Sequence, residues 1–403
     1  MYERRSASRG QELTATGDGP RRVVPFHRPA IGSSERELVD DALRSGWLTS
    51  GPMVQRFEEE LEHVTGAGRV LVLSSGTAAL HVGLDLLGVE RGRIVALPTM
   101  TFTATAETAL YLGAEIRLTD VDPVTMNISP VTLEPVMSRD IRAVVAVDLG
   151  GLPHPLREVR EIAESYGADV IVDAAHSLGS SRSGSPVGSS EVLAAFSFYA
   201  TKPITTGEGG ALAINDPALV ARATTLRLHG LSTGAADRYT PEGNWAYDVI
   251  ERGYKYNLAD INAALGLAQI NRLPELQARR TSIARRYLAD LDLPELELPT
   301  ETAGVETNWH LFVIRLRLDR LRIDRDQFLS ELKVRGVHGS VHFKPLHLQP
   351  FYRNLLGLQP GDFPVASSLA ERIVSLPIYP SMTEGDIGHV CEEVKAVCLT
   401  YRR

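Results

Sequence analysis

From Val23 to about residue 270, short unbroken apolar runs take turns with segments whose apolar residues recur every three or four positions. RVLVLSS (69–75), RIVALPT (93–99), AEIRLTDVD (114–122), AVVAVDL (143–149) and ADVIVDAA (168–175) are runs of the first kind. TAALHVGLDLLG (77–88) is of the second, with Leu80, Leu84 and Leu87 on one helical face. TATAETALYLG and REVREIAESYG follow the same period and are closed by Gly113 and Gly167. A strand that shows one face to water alternates apolar with polar residues, whereas a strand covered on both faces does not. Unbroken runs separated by helices therefore predict an α/β fold with a large, mostly parallel sheet. LAAFSFYATK (193–202) adds one more buried strand, which leads into Lys202.

Past this region the pattern changes. NLADINAALGLAQINRL (257–273) is strongly periodic, and LPELQARRTSIARRYLADL (273–291) reads as a long charged connecting helix. NWHLFVIRLRL (308–318), a helix through DQFLSELKVRG (326–336), and VHGSVHFKP (337–345) then predict a smaller α+β unit. The expected organisation is a mobile tail over 1–22, a large α/β domain over 23–270 and a small C-terminal α+β domain over 271–403. STGAADRYTPEGNWAYDVIER (232–252) has weak periodicity and reads as a long loop, which in a compact domain is more often functional than idle.

The bulk numbers narrow the function. A chain of 403 residues with net charge −8 does not suit a broad nucleic-acid surface, although it allows a local basic pocket. The two cysteines, Cys391 and Cys398, fall on one face of a predicted C-terminal helix and form no disulfide framework or metal spacing. There is no apolar run of bilayer length and no apolar core of a signal peptide in the N-terminal stretch, so the expected location is the cytoplasm, with no membrane partner.

Candidate chemistry enters with FSFYATKPITTGEGG (196–210). The sequence holds 42 lysines and arginines, of which only Lys202, Lys255, Lys333, Lys344 and Lys395 are lysine. A lysine amine sheds its proton when its surroundings disfavour charge; a guanidinium does not. Lys202 is therefore a candidate for amine chemistry, and with it four features match what pyridoxal phosphate requires: a Schiff-base lysine, an acid for the ring nitrogen, an anion site and a flat group against the ring. Asp173 ends the strand VIVD, at the edge where open α/β sheets bind ligands; its alternative role is to cap the next helix. SSGTAAL (74–80) follows a strand and opens a helix, so Gly76 and Thr77 offer a phosphate site or an ordinary N-cap. Ser197 is a further phosphate hydroxyl or a buried serine bonded to backbone. Phe102, just past a strand end, is a ring-stacking aromatic or a core residue. His176 either lies near the ring's phenolic oxygen, buttresses Asp173, or sits at the surface. Each feature is weak alone; their order along one α/β region is specific.

That order resembles the sugar aminotransferases of the DegT/DnrJ/EryC1/StrS family, fold type I enzymes related to aspartate aminotransferase. SSGTAAL, PTMTFTAT, DAAHSLGS, FSFYATK and TGEGGAL carry the resemblance, which begins at PFHRPAIGSSE and SGWLTSGP. It runs on through GYKYNLADINAALGLAQINRL and WHLFVIRL to SLPIYPSMT. It implies that Lys202 carries pyridoxal phosphate, with Asp173 on the ring nitrogen. Gly76, Thr77 and Ser197 then hold the phosphate, Phe102 stacks, and His176 lies beside the ring. It also implies a homodimer in which the loop around 253–257 completes the partner's site. Many members carry Gly-x-Asn-x-Arg there, and this chain has Gly253, Lys255 and Asn257, so Lys255 stands where the asparagine is usual and becomes a cofactor-phosphate candidate with Asn257.

The resemblance implies transamination from L-glutamate, leaving 2-oxoglutarate, to a ketone on a nucleotide sugar. The 253–257 segment, WHLFVIRL and VHFKPLH are most similar to the branch that aminates C4 of nucleotide-linked 4-keto sugars, with His342 facing the substrate. Arg252, Lys255, Lys344 and His342 are candidates for the diphosphate, or solvated surface charges. A dTDP- or UDP-4-keto-6-deoxyhexose is the expected acceptor; the arginine-rich, lysine-poor composition suggests a GC-rich genome, where enzymes of this family often serve amino-sugar synthesis for a secondary metabolite or glycan. A UDP-4-keto-pentose and a 3-keto sugar are the alternatives. A dehydratase of the same family would carry histidine in place of Lys202; a lyase or desulfurase would need an acid or thiol of its own. A regulator sharing the fold would bring a DNA-binding module, and neither a helix-turn-helix nor a basic stripe is present in the sequence.

Overall fold

The structure is a computed structural model that describes residues 22–232 and 247–403. The expected N-terminal tail up to residue 21 and positions 233–246 of the expected long loop lie outside the described residues. Arg22, the last position of that tail, is described: its guanidinium donates to Asp386 Oδ1 at 2.8 Å.

Seven strands form the main sheet: β1 (Arg69–Leu73), β2 (Ile94–Pro98), β3 (Glu115–Thr119), β4 (Ile141–Val147), β5 (Asp169–Asp173), β6 (Leu193–Ser197) and β7 (Gly210–Ile214). Their spatial order is β1-β7-β6-β5-β4-β2-β3. All neighbours run parallel except β7, which is antiparallel to both β1 and β6. Side chains along each strand alternate between two cores, which is why the runs are apolar throughout. In β1, Leu71 and Leu73 enter one core while Val70 and Val72 enter the other. In β6, Leu193 and Ala195 oppose Ala194 and Phe196 in the same way.

Helices cover both faces. α1 (Ser33–Ser45) and α2 (Pro52–Thr65) precede the sheet, α3 (Gly76–Leu86) follows β1, α4 (Thr103–Tyr111) follows β2 and α5 (Leu156–Ser165) follows β4. After β7 come α6 (Pro217–Arg227), α7 (Asp260–Asn271) and α8 (Leu273–Asp290). α3 and α4 fill one core, and α2, α5 and α7 the other. The expected helix closures hold: Gly113 and Gly167 take φ +80°, a left-handed conformation that suits glycine.

The C-terminal part builds a third apolar cluster around an antiparallel sheet of β8 (Leu296–Glu297), β9 (Phe312–Leu316) and β10 (Ile373–Leu376). α9 (Arg325–Val334) and α10 (Glu384–Tyr401) pack on it, and Cys391 and Cys398 share the buried face of α10 as free thiols. α8 joins the two parts: Leu273 and Leu276 belong to the main sheet's core, Ile283 and Tyr287 to the third cluster. Val24 also enters the third cluster and pairs in parallel with Val337. Among the described residues, no helix is long and apolar enough to cross a membrane.

Candidate active site

The carboxyl ends of β1, β2, β4, β5 and β6, and the amino end of the antiparallel β7, meet at one edge of the main sheet. A cavity of about 460 Å³ opens there and contains Lys202. The chain leaves β1 through Ser75, whose Oγ accepts the N–H of Ala78 at 3.0 Å and caps α3. The N–H groups of Gly76 and Thr77, in the first turn, have no partner within the helix and face the positive end of its dipole. Gly76 is required there by close approach, because a Cβ would stand 2.8 Å from Ser197 Cβ. Gly210 is tighter still: its Cβ would meet the backbone nitrogen of Gly76 at 2.4 Å. The two glycines let the start of α3 sit directly over the ends of β6 and β7.

Asp173 ends β5 and is 6% exposed. Its Oδ2 accepts Thr105 Oγ1–H at 2.7 Å and its Oδ1 accepts the N–H of Ala175 at 3.2 Å. It caps no helix, and no arginine or lysine forms an ion pair with it among the described residues. Burial pushes its carboxyl upward, against the hydrogen bonds that pull it down. His176 is equally buried, and its Nδ1 accepts the N–H of Gly150 at 3.1 Å, so the neutral ring carries its proton on Nε2. Burial holds His176 and His310, whose rings lie 4.5 Å apart, well below the usual histidine range. His342 stacks on Phe26 at 5.2 Å and shares a 2.9 Å hydrogen bond with Ser375; burial lowers it to about 4.

Lys202 faces this group. Burial lowers its amine from the usual lysine value to about 8, while the charge of Asp173 pulls it upward. The amine is thus readily freed of its proton in a site whose histidines are neutral and whose buried carboxylate, Asp173, has no cation paired with it.

Gly76, Thr77, Phe102, Asp173, His176, Ser197, Lys202 and His342 all line the cavity. Phe102 is 57% exposed, at the head of α4 with its ring 5.8 Å from Phe343, and is not a core residue. The expected cations are placed otherwise. Arg252 is exposed and lines a separate cleft with Asp85 and Arg222. Lys344 is exposed, one residue beyond the cavity wall. Lys255 bonds Asn257, whose Nδ2 donates to Ser50 Oγ at 2.8 Å. For Lys255 the reason is alternation along an extended segment: Tyr254 and Tyr256 turn inward against His81, which sends Lys255 between them outward, whereas Arg252 shares their face and sits at the cleft with Asp85. No lining residue of this cavity is an arginine.

Thr105, His310, Phe26 and Phe343 belong to the site and are not singled out by the sequence. His310, Phe26, Thr105 and Phe343 do lie in WHLFVIRL, PFHRPAIGSSE, PTMTFTAT and VHFKPLH, segments quoted for the resemblance, but nothing in them marks Thr105 as a partner for a residue 68 positions away.

These residues fit pyridoxal phosphate. The buried carboxylate lacks a cationic partner that a protonated ring nitrogen would supply, the helix start offers free N–H groups to a phosphate, and the lysine amine is accessible as a neutral base. With the mostly parallel sheet, they define a fold type I pyridoxal-phosphate aminotransferase. The chain belongs to the DegT/DnrJ/EryC1/StrS aminotransferase family, whose model matches residues 29–395. It is 38% identical over 376 residues to the spore coat polysaccharide biosynthesis protein SpsC of Bacillus subtilis, covering 93% of this chain and 97% of that one. The PMP form of Spr1654 from Streptococcus pneumoniae superposes with a TM-score of 0.88 at 30% identity, over 94% of this chain and 99% of that one. PseC of Helicobacter pylori, an aminotransferase involved in the biosynthesis of pseudoaminic acid, gives 0.87 at 25% identity over 94% and 100%.

Proposed function

We propose that this aminotransferase moves the amino group of L-glutamate to C4 of a dTDP- or UDP-linked 4-keto-6-deoxy sugar, in the synthesis of an amino sugar for a glycan or secondary metabolite. The observation that carries the reading is a buried lysine amine of lowered pKa facing an unpaired buried carboxylate at the end of β5. Polysaccharide synthesis in SpsC and amino-sugar synthesis in PseC support a sugar acceptor. So does the cavity wall: Phe26, Phe343 and His342 suit the apolar face of a deoxy sugar ring.

Pyridoxal phosphate supplies an electron sink that stabilises the carbanion left when a proton departs from the carbon bearing the amino group. Asp173 would hold its ring nitrogen, Gly76, Thr77 and Ser197 its phosphate, and Phe102 one face of its ring. Lys202 Nζ, neutral, takes the proton from glutamate Cα and later returns one to the sugar carbon, so one group is base and acid in turn. Thr105 keeps Asp173 oriented through its 2.7 Å hydrogen bond, and Gly150 fixes the His176 tautomer so that its Nε2–H points away from the backbone donor. The outward-facing Lys255 fits a homodimer in which the 253–257 segment reaches the partner's cavity and adds a cation to it.

The test incubates the protein with pyridoxal phosphate, L-glutamate and a panel of 4-keto and 3-keto nucleotide sugars, followed by mass spectrometry. The expected result is an amine at C4 of a 6-deoxyhexose. Amination of a 4-keto-pentose or a 3-keto sugar alone would reassign the acceptor, and a dehydrated product without amination would overturn the transamination.

A further inference from the structure

Behind Lys202, on the side away from the cavity, lies a buried arginine with no acid beside it. Arg280, on α8, is 2% exposed. Its Nη1 donates to the carbonyl of Pro203 at 3.0 Å, and its Nε is buried with no partner among the described residues. No carboxylate pairs with it among the described residues, and burial alone lowers it to about 10. Arg280, His27, Ala200, Lys202 and Pro203 are among the residues lining a small cleft of about 10 Å³, room for about one water molecule.

A buried guanidinium without a counter-ion is unfavourable, and a purely structural site for it would be better filled by an apolar side chain. What this one does is geometric. The backbone turn bearing Lys202 is held before the lysine by its own N–H, which donates to Tyr199 O at 2.9 Å, and after it by Arg280, which donates to Pro203 O, with His27 packed in the same cleft. The arginine reaches the turn from the helix that spans the main sheet's core and the third cluster. We infer that Arg280 is a positioning residue for the aminotransferase reaction: it fixes the root of the Lys202 side chain so that the amine stays inside the cavity, facing Asp173. The inference rests on the role of Lys202 set out above. The charge of the Lys202 amine is felt by Asp173, His176, His310 and His342, all lining the cavity; the charge of Arg280 reaches His310 but not Lys202, so its hold on Lys202 runs through the backbone.

The test uses the full chain with Arg280→Met, which keeps most of the volume and removes the donor. One readout needs no cofactor: competitive acetylation of the coenzyme-free protein across pH, with the Lys202 peptide followed by mass spectrometry. The wild-type midpoint is expected near 8, and in Arg280→Met it moves up toward that of a solvent-exposed lysine because the loosened turn lets the amine reach water. In the loaded enzyme, kcat for the half-reaction with L-glutamate falls about 10- to 100-fold, the penalty for misplacing a reacting group, while KM changes less than about twofold. A folded Arg280→Met with a wild-type midpoint and wild-type kcat overturns the inference. Should that variant fail to fold, Arg280→Gln carries the test: its amide is too short to reach Pro203 but tolerates water in the cleft, and an unmoved midpoint with unchanged kcat overturns the inference there too. Lys202→Ala separates the two claims: if it retains transamination, the role of Lys202 is wrong, whereas an inactive Lys202→Ala beside a wild-type-like Arg280→Met sinks only the positioning role.

Discussion

At the scale of single residues, the site turns on which groups hold a proton at neutral pH. Burial pushes Lys202 down and Asp173 up, so each is poised toward its neutral form unless a ligand restores charge to the pair. A base works only unprotonated, so single-turnover proton removal from L-glutamate is expected to rise with pH and level off above about 8. Lys202→Arg keeps a positive charge but cannot serve as that base, and kcat is expected to fall about 100- to 10 000-fold or more; a loss under tenfold would contradict the role. Lys202 is legible in the sequence because lysine is so scarce that a choice against arginine stands out. Phe102 and His176 are not, since the same letters suit a core aromatic and a surface histidine. Only the packing separates the readings: Phe102 is exposed at the cavity and His176 is buried in its wall. The outward turn of Lys255 depends on the alternation of one extended segment, and its phase is set by Tyr254 and Tyr256 finding His81.

At the scale of elements, the cavity exists because α3 and β7 touch over β6. β7 is also the element the sequence hides. Its five residues, GALAI, follow a glycine turn, and nothing local states that it runs against its neighbours. The strand's direction is decided by the sheet it joins. The parallel strands were readable because burial on both faces leaves a mark in each run. Gly210→Ala tests the contact: the added Cβ meets backbone at 2.4 Å, and backbone cannot swing away as a side-chain tip can. Such overpacking costs typically about 1–3 kcal/mol, and the expected outcome is a lower melting temperature together with weaker retention of pyridoxal phosphate in equilibrium dialysis. Ser75→Ala removes only the α3 cap, at about 1 kcal/mol, and is expected to weaken retention less. A Gly210→Ala protein that melts and binds like the wild type would show that the helix start is not held by that contact.

At the scale of the molecule, two apolar histidine environments make the fold acid-sensitive. Burial lowers His27 and His342 to about 4 from 6.5. The unfolded chain therefore binds protons before the folded one does, so stability is fully present above about 6.5 and is lost as pH falls through about 4. Melting temperatures are expected to decline across that window, and a flat profile would contradict it. The proposed homodimer has its own test. Lys202→Ala and Lys255→Ala subunits, each inactive alone, should regain part of the activity when mixed and reassociated, because one hybrid cavity receives both intact residues. No recovery would mean that the 253–257 segment does not serve a neighbouring site.

The central claim is tested most directly by reducing the pyridoxal-phosphate-loaded protein with borohydride and locating the coenzyme adduct by peptide mass spectrometry. With five lysines in the chain the outcome is unambiguous: the adduct is expected on Lys202 and on no other residue. An adduct on a different lysine, or a protein that takes up no coenzyme, would contradict the account.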